Sequence, residues 1–212
     1  LFVLCQEGLV EIANLLLAQA GIDVNQATAA TGETPLYIAC QEGHAEIIML
    51  LLAHNGIDVN QARTDGGGTR LFIACQEGHA EIVTLLLAHD GVDANQATDH
   101  GSTPLYMACY NGNINIMKLL LAHDGIDANQ ATSQGGLTPL YIACKKGFVD
   151  IIKLLLAHGG IDANKAGTYY GTTPLHGAGL GGVLLAMQYL VVYGASLVIE
   201  DIDGVTTAQA AT

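Results

Sequence analysis

The chain has 212 residues, of which 20 are acidic and 7 are basic, so its formal net charge is −13. This balance argues against nucleic acid as a partner, because phosphate binding needs clustered lysine and arginine. Hydrophobic residues make up 50% of the chain, which is too many for a disordered protein. No apolar run reaches the ~20 residues that a membrane-spanning helix needs. We therefore expect a folded chain with no direct membrane insertion.

A fixed period runs through the chain. The cysteines stand 34 or 35 residues apart, at Cys5, Cys40, Cys75, Cys109 and Cys144. The letters Thr-Pro-Leu-Tyr recur at 34–37, 103–106 and 138–141. This period predicts one repeat domain over residues 1–212, in which each unit buries its apolar surface against its neighbours. Cut at the threonine, the units are 1–33 (truncated), 34–68, 69–102, 103–137, 138–172, 173–205 and a stub at 206–212.

The first complete unit predicts two helices and a turn. Thr34 can cap a helix with its hydroxyl, and Pro35 suits the first helical position. Gly43 should end that helix, since glycine readily adopts a left-handed conformation. A second helix is expected from Ala45 to about His54, and it is apolar on every side, so neighbouring units must cover it. Turn-forming residues follow the second helix.

The two ends of the chain differ from its middle. Leu1–Gly8 aligns with Leu71–Gly78, so it is interpreted as a repeat helix that has lost its start rather than as a signal peptide. The first residue is not methionine, and we expect the chain to be an excerpt of a longer protein. Near the other end, Gly177, Gly179, Gly181 and Gly182 are expected to loosen the helix that precedes the uncharged segment 183–193.

The repeated sequence resembles the ankyrin repeat. The matching pattern is Gly-x-Thr-Pro-Leu-[His/Tyr]-x-Ala, then Gly-His, then Leu-Leu-Leu, then Asp-Val-Asn, and it covers nearly the whole chain. The resemblance implies an all-α, ankyrin-type solenoid of stacked helix-turn-helix repeats with β-hairpin-like fingers. It also implies a concave groove for protein partners, with no catalysis, no cofactor and no small-molecule substrate.

Several positions depart from the family pattern. Most units are longer than the family's usual length of about 33 residues. Arg70 stands where the family has proline. Only His176 keeps the histidine of Thr-Pro-Leu-His, and tyrosine or phenylalanine replaces it in the other units, at Tyr37, Phe72, Tyr106 and Tyr141. These replacements change the hydrogen-bond network that the family motif makes.

The cysteines and histidines do not predict a metal site. One cysteine per unit predicts a small buried side chain, because equivalent positions in stacked helices lie farther apart than a disulfide allows. The same separation excludes shared zinc ligands. Hydrogen bonding to helix ends is the expected role of the two histidine columns, His44 and His79, and His54, His89, His123 and His158. Free thiols favour a reducing, intracellular and cytoplasmic location.

Partner-binding residues should lie where the units differ at exposed positions. In the family, the two residues before the mid-repeat glycine face the groove. Here that column changes from acidic through aromatic to basic, and we predict that it binds the partner through Glu42, Glu77, Tyr110, Asn111, Lys145 and Lys146. Variable finger tips extend the predicted surface with Arg63, His100, Tyr169 and Tyr170. The alternative is that these are ordinary solvated surface residues.

The sequence therefore predicts a non-catalytic scaffold for protein–protein interaction. Opposite charges at the two ends of the column would orient a partner, with its basic part over Glu42 and Glu77 and its acidic part over Lys145 and Lys146. A second interpretation is a regulatory or mechanical repeat arm of a larger membrane channel, enzyme or toxin. A third is a structural spacer, which predicts no partner.

Overall fold

The computed structural model describes residues 1–168, 170–201, 203–206 and 209, and the twelve α-helices within these ranges follow one another in six pairs. The first helices of the pairs are α1 (Phe2–Gln6), α3 (Pro35–Glu42), α5 (Arg70–Glu77), α7 (Pro104–Asn111), α9 (Pro139–Lys146) and α11 (Pro174–Leu180). The second helices are α2 (Val10–Leu17), α4 (Ala45–Leu52), α6 (Ala80–Leu87), α8 (Ile114–Leu121), α10 (Val149–Ala157) and α12 (Leu184–Val192). A helix hairpin is thus the unit of the fold.

Five of the six first helices begin with the same cap. In α3, α5, α7, α9 and α11 the hydroxyl of the preceding threonine accepts a hydrogen bond from a backbone N–H. In α3 the N–H of Tyr37 donates to Thr34 Oγ1 at 3.2 Å. Such a cap contributes about 0.5–2 kcal/mol. At the other end Gly43 is left-handed, with φ of 86°, and it ends the helix as the sequence predicted.

The second helices are shorter than expected. We expected the second helix of the first complete unit to reach about His54, but α4 ends at Leu52. The N–H of His54 bonds to the carbonyl of Leu51 at 3.1 Å, which tightens the last turn and stops the helix. Gly56, with φ of 86°, belongs to the turn that follows rather than to the helix end.

The helix pairs stack into two layers. Each first helix packs on the first helix of the next pair, and each second helix packs on the second helix of the next pair. A column of fully buried leucines runs between the layers, formed by Leu36, Leu71, Leu105, Leu140 and Leu175. Each such side chain contributes roughly 1.5–3 kcal/mol when it leaves water. All five cysteines lie in this core as buried free thiols, which confirms the prediction for them.

Glycines within and just after α11 lie close to α9. A Cβ at Gly177 would lie 3.1 Å from the carbonyl oxygen of Tyr141, and one at Gly181 would lie 2.5 Å from that of Lys145. Gly177 and Gly181 let this backbone approach α9 closely. The helix α11 has seven residues, whereas α3, α5, α7 and α9 have eight, and its loosening by glycine stays a prediction.

Fingers join the pairs. We use this word for the segments between each second helix and the next first helix, residues 18–34, 53–69, 88–103, 122–138 and 158–173. Within one finger the N–H of Arg63 donates to the carbonyl of Gly68 at 3.0 Å, and between fingers the N–H of Thr64 donates to that of Thr31 at 3.1 Å. The fingers are hairpin-like loops, because the only β-pairing among the described residues is an isolated bridge between Glu200 and Thr206.

An asparagine ladder ties successive fingers together. Asn60 Nδ2 donates to the carbonyl of Gly91 at 2.7 Å, and its Oδ1 accepts from the N–H of Asp93 at 2.9 Å. The same pair of hydrogen bonds recurs through the chain at Asn25, Asn95, Asn129 and Asn164. The ladder fixes the position of each unit on the next.

Candidate partner-binding groove

A groove lies between the fingers and the layer of first helices. One of its clefts, of about 300 Å³, is lined by Arg63 and Asp65 from a finger and by Gln41 and Glu77 from α3 and α5. The column of residues that precedes each mid-repeat glycine therefore faces the same space as the fingers. This arrangement brings the two predicted sets of binding residues onto one surface.

The N-terminal end of the groove presents two ordered carboxylates. Glu42 and Glu77 are both exposed. The side-chain amide of Gln41 donates to Glu42 Oε1 at 3.3 Å, and that of Gln76 donates to Glu77 Oε1 at 3.0 Å. Each preceding glutamine thus orients a carboxylate without neutralising its charge, and this end of the groove is acidic.

Arg63 is occupied by contacts within its own chain. Its guanidinium binds both carboxylate oxygens of Asp65 at 2.7 Å and lies 3.4 Å from Glu33 Oε1. It also donates to the hydroxyl of Tyr37 at 3.3 Å and lies 5.4 Å from the centre of that ring. The hydrogen bond to Tyr37 raises the pKa of Arg63, and burial raises the pKa of Tyr37. Arg63 therefore holds a finger against α3.

In the middle of the groove, an aromatic side chain stacks against a lysine. Tyr110 is 43% exposed, and the ammonium of Lys146 lies 4.2 Å from the centre of its ring. Asn111 donates from Nδ2 to the carbonyl of Gln76 at 3.0 Å, which bridges α7 to α5. A cation–π contact of this kind contributes about 0.5–1 kcal/mol at an exposed site. Tyr110 and Lys146 thus form one surface feature.

The C-terminal end of the groove holds a larger cleft, of about 520 Å³. It brings together Lys145 and Tyr170, which the sequence predicted separately as groove and finger residues. Of the remaining finger-tip residues, His100 is exposed and its Nδ1 lies 3.0 Å from the amide nitrogen of Gln134. The predicted residue Tyr169 lies outside the described residues.

The histidine columns behave differently from one another. His44 Nε2 lies 3.0 Å from the carbonyl of Gln6, and His79 Nε2 lies 3.1 Å from that of Gln41. These carbonyls end the first helix of the preceding unit, so the predicted role is confirmed for this column. In the other column His54 Nδ1 lies 2.8 Å from the carbonyl of Asn55 in the following turn. Its other members have a buried Nδ1 with no hydrogen bond in the described part of the chain, at His89, His123 and His158.

Two positions of the family motif have structural consequences: His176 keeps the family's histidine, and Arg70 replaces its proline. His176 accepts at Nδ1 from the N–H of Thr173 at 3.0 Å, and its Nε2 lies 3.0 Å from the carbonyl of Val205, so it links α11 to the next segment. Arg70 is fully buried and donates from Nη2 to Thr34 Oγ1 at 2.7 Å. Its Nε and Nη1 have no partner within the described ranges. Burial lowers the pKa of Arg70 to about 10.

Metal binding, membrane insertion and thiol reactivity each depend on side chains of the described residues. No group of three or more histidine, cysteine, aspartate or glutamate side chains among them could hold a metal ion. No helix in the described ranges is both long and apolar enough to cross a membrane. Burial raises the pKa of the Cys5 thiol to about 11 and raises the pKa values of the other four thiols.

Comparison with known proteins gives one consistent result. Residues 1–98, 59–132 and 127–201 match the family described as "Ankyrin repeats (3 copies)". The crystal structure of the human ASB11 ankyrin repeat domain is 30% identical in sequence, with a TM-score of 0.78, and the match covers 100% of this chain and 90% of that chain. The Bcl-3 ankyrin repeat domain, from a unique member of the IκB family, is 24% identical, with a TM-score of 0.88, and the match covers 100% and 92%. Among curated proteins, no sequence matches this chain.

Proposed function

Because the chain belongs to the ankyrin repeat family, whose domains generally mediate protein–protein interaction, we propose that it is a non-catalytic scaffold. It binds a partner protein through the concave groove and the finger tips. The observation that carries this proposal is the change of chemistry along the groove. Exposed carboxylates of Glu42 and Glu77 lie at one end, and exposed Lys145 and Lys146 lie at the other.

The partner is a protein segment with opposite charges at its two ends. Its basic part lies over Glu42 and Glu77, and its acidic part lies over Lys145 and Lys146. Complementary charge of this kind raises the rate of encounter and fixes the direction of binding more than it raises affinity. Tyr110 lies between the two charged ends and offers an aromatic contact, which is the residue class enriched at the energetic centre of interfaces.

The described side chains support a binding role rather than catalysis. A reactive cysteine needs an exposed thiolate, whereas all five thiols here are buried and have raised pKa values. The histidines that follow the mid-repeat glycines, His44 and His79, lie within hydrogen-bonding distance of backbone carbonyls. Five free thiols also support a reducing, intracellular and cytoplasmic location. The net charge of −13 supports a protein partner rather than nucleic acid.

Affinity capture from cell lysate tests this proposal. The wild-type chain is compared with the variant Lys145→Glu/Lys146→Glu and with the matched control Lys118→Glu/Lys153→Glu. The control makes the same charge change at exposed positions on the second helices α8 and α10, outside the groove. Circular dichroism confirms that all three are folded.

Three results are possible in the capture experiment. A protein recovered by the wild type and by the control, but lost by the groove variant, supports the scaffold. Equal recovery by all three would move the binding surface away from this end of the groove. Recovery of nothing by any of them would favour the repeat arm of a larger protein or the spacer.

A further inference from the structure

The cleft at the C-terminal end of the groove has the features of an anchor site, a pocket that receives one side chain of a partner. Its volume of about 520 Å³ exceeds the 300 Å³ of the cleft beside Arg63, and it lies within the usual range for ligand pockets. Four of its lining residues have large apolar or aromatic side chains, namely Leu137, Tyr141, Tyr170 and Leu180. The cleft beside Arg63 is lined mainly by polar groups.

Two of these side chains are more exposed than a purely structural role requires. Leu180 is 67% exposed and Tyr170 is 61% exposed, yet both line the same cleft. Tyr141 is buried and gives the cleft a firm base. Exposed apolar side chains that converge on a concave site mark interaction surfaces, whereas single exposed leucines do not.

Charges of opposite sign flank this apolar surface. Lys145 lies on the helix side of the cleft, at the end of α9. Asp201 and Asp203 line the same cleft from the segment after α12. Asp201 is already bonded, since its Oδ1 accepts from the N–H groups of Asp203 and Val205 at 3.0 and 2.9 Å. Asp203 is exposed, so its carboxylate is the one positioned to meet a cation of a partner.

The close packing of α11 on α9 creates the apolar wall. A Cβ at Gly181 would collide with the carbonyl of Lys145, so only glycine permits this approach. The residue before it, Leu180, then stands beside Lys145 in the groove. Leu180 is the one aliphatic residue at its place in the repeat, which the preceding units fill with Gln6, Gln41, Gln76, Tyr110 and Lys145. The apolar site is therefore specific to this end of the groove.

We infer that this cleft binds one apolar side chain of a partner protein, from a segment that carries an acidic residue on one side of that anchor and a basic residue on the other. The anchor, of the size of leucine or phenylalanine, packs between Leu180, Tyr170 and Leu137. The acidic residue pairs with Lys145, and the basic residue pairs with Asp203. This inference rests on the proposed function and names the chemistry of the partner segment at one end of the groove.

Selection from random peptides displayed on phage tests the inference. The immobilised wild-type chain is the target, and enriched peptides are synthesised with a fluorescent label for binding titrations. We expect enriched peptides to share an apolar residue between an acid and a base. The variant Leu180→Gln should weaken their binding roughly tenfold, since it removes an apolar contact surface. Lys145→Glu should weaken it several-fold and make the residual binding less sensitive to salt.

Matched controls separate the cleft from general surface effects. Leu184→Gln changes a leucine of nearly equal exposure, 66%, that does not line the cleft, and Lys118→Glu repeats the charge change on α8. Both controls should bind the peptides as the wild type does. Peptides that bind Leu180→Gln as tightly as the wild type would overturn the inference, and so would the absence of any enrichment over the Leu180→Gln/Lys145→Glu variant.

The failure of this inference is distinguishable from failure of the scaffold. Peptides that are insensitive to Leu180→Gln but weakened by Glu42→Gln/Glu77→Gln would overturn the anchor cleft and leave groove binding standing. The capture experiment tests the scaffold separately from the apolar anchor, because Lys145→Glu/Lys146→Glu leaves Leu180 in place.

Discussion

Replacement of the buried arginine by the family's proline should stabilise the protein. In Arg70→Pro the two guanidinium nitrogens that lack a partner, Nε and Nη1, are removed from the core. The backbone is ready for proline, because Thr69 has ψ of 171°, in the extended region that a residue before proline prefers. The first position of α5 also needs no N–H donor. Four other first helices begin with proline at this place, at Pro35, Pro104, Pro139 and Pro174.

The size of the effect follows from the contacts of Arg70. Each unpaired buried polar group costs about 1–3 kcal/mol, and the lost charge-assisted bond to Thr34 had contributed about 1.5–3 kcal/mol. Thr34 Oγ1 keeps its hydrogen bond from the N–H of Tyr37, so the substitution does not leave this buried hydroxyl without a partner. Proline adds about 0.4–1 kcal/mol by restricting the unfolded chain. Proline is smaller than the fully buried Arg70 side chain, and the space that it leaves offsets part of these terms. We expect a net gain of about 1 kcal/mol in the free energy of unfolding.

Urea unfolding followed by circular dichroism measures this gain. Arg70→Pro should unfold at a higher urea concentration than the wild type, with an unchanged slope. The reciprocal variant Pro104→Arg is the matched control, and it should lower the free energy of unfolding because it buries a charge at the same place in the next unit. If Arg70→Pro were less stable than the wild type, the argument that Arg70 is a destabilising buried charge would be refuted.

Three further predictions concern stability. Gly101→Ala should lower the free energy of unfolding by at least about 1–2 kcal/mol in a urea titration, since φ is 75° and a Cβ would collide with the backbone nitrogen of Ser133. The control Gly91→Ala should cost less, because a Cβ there would meet open space. Asn95→Ala should cost about 1–3 kcal/mol in the same assay, because it removes two bonds to the next finger, each of 2.8 Å. The pKa values of the thiols are raised in the folded state, so the stability that they contribute below pH 9 should be lost as the pH rises towards 11 and beyond. Because the cysteines are buried, thiol reagents should label them only after unfolding. Labelling of the native protein at pH 8 would contradict this prediction.

The sequence predicts best what depends on neighbouring residues and on the period. Thr34 and Gly43 bound α3 as expected, because caps and left-handed ends are decided by residues close in the chain. The burial of the cysteines and the bonds of His44 and His79 followed from the fixed period, which places each of these residues against the next unit.

Contacts between distant segments were harder to predict. The engagement of Arg63 depends on how closely a finger lies against Tyr37, and nothing near either residue in the sequence encodes that distance. The close approach at Gly181 is a similar case. The asparagine ladder, in contrast, carried a usable signal. A polar residue such as Asn60 that returns at every period has a partner that returns with it, and this pattern could have indicated the bonds between fingers.

The central claim is that the groove binds a partner by charges of opposite sign at its two ends. Titration calorimetry with the captured partner tests this claim most directly, using the wild type, Lys145→Glu/Lys146→Glu and the control Lys118→Glu/Lys153→Glu. We predict that affinity falls several-fold for the groove variant and stays unchanged for the control, with a difference that shrinks at high salt. Equal affinity for all three proteins would contradict the account.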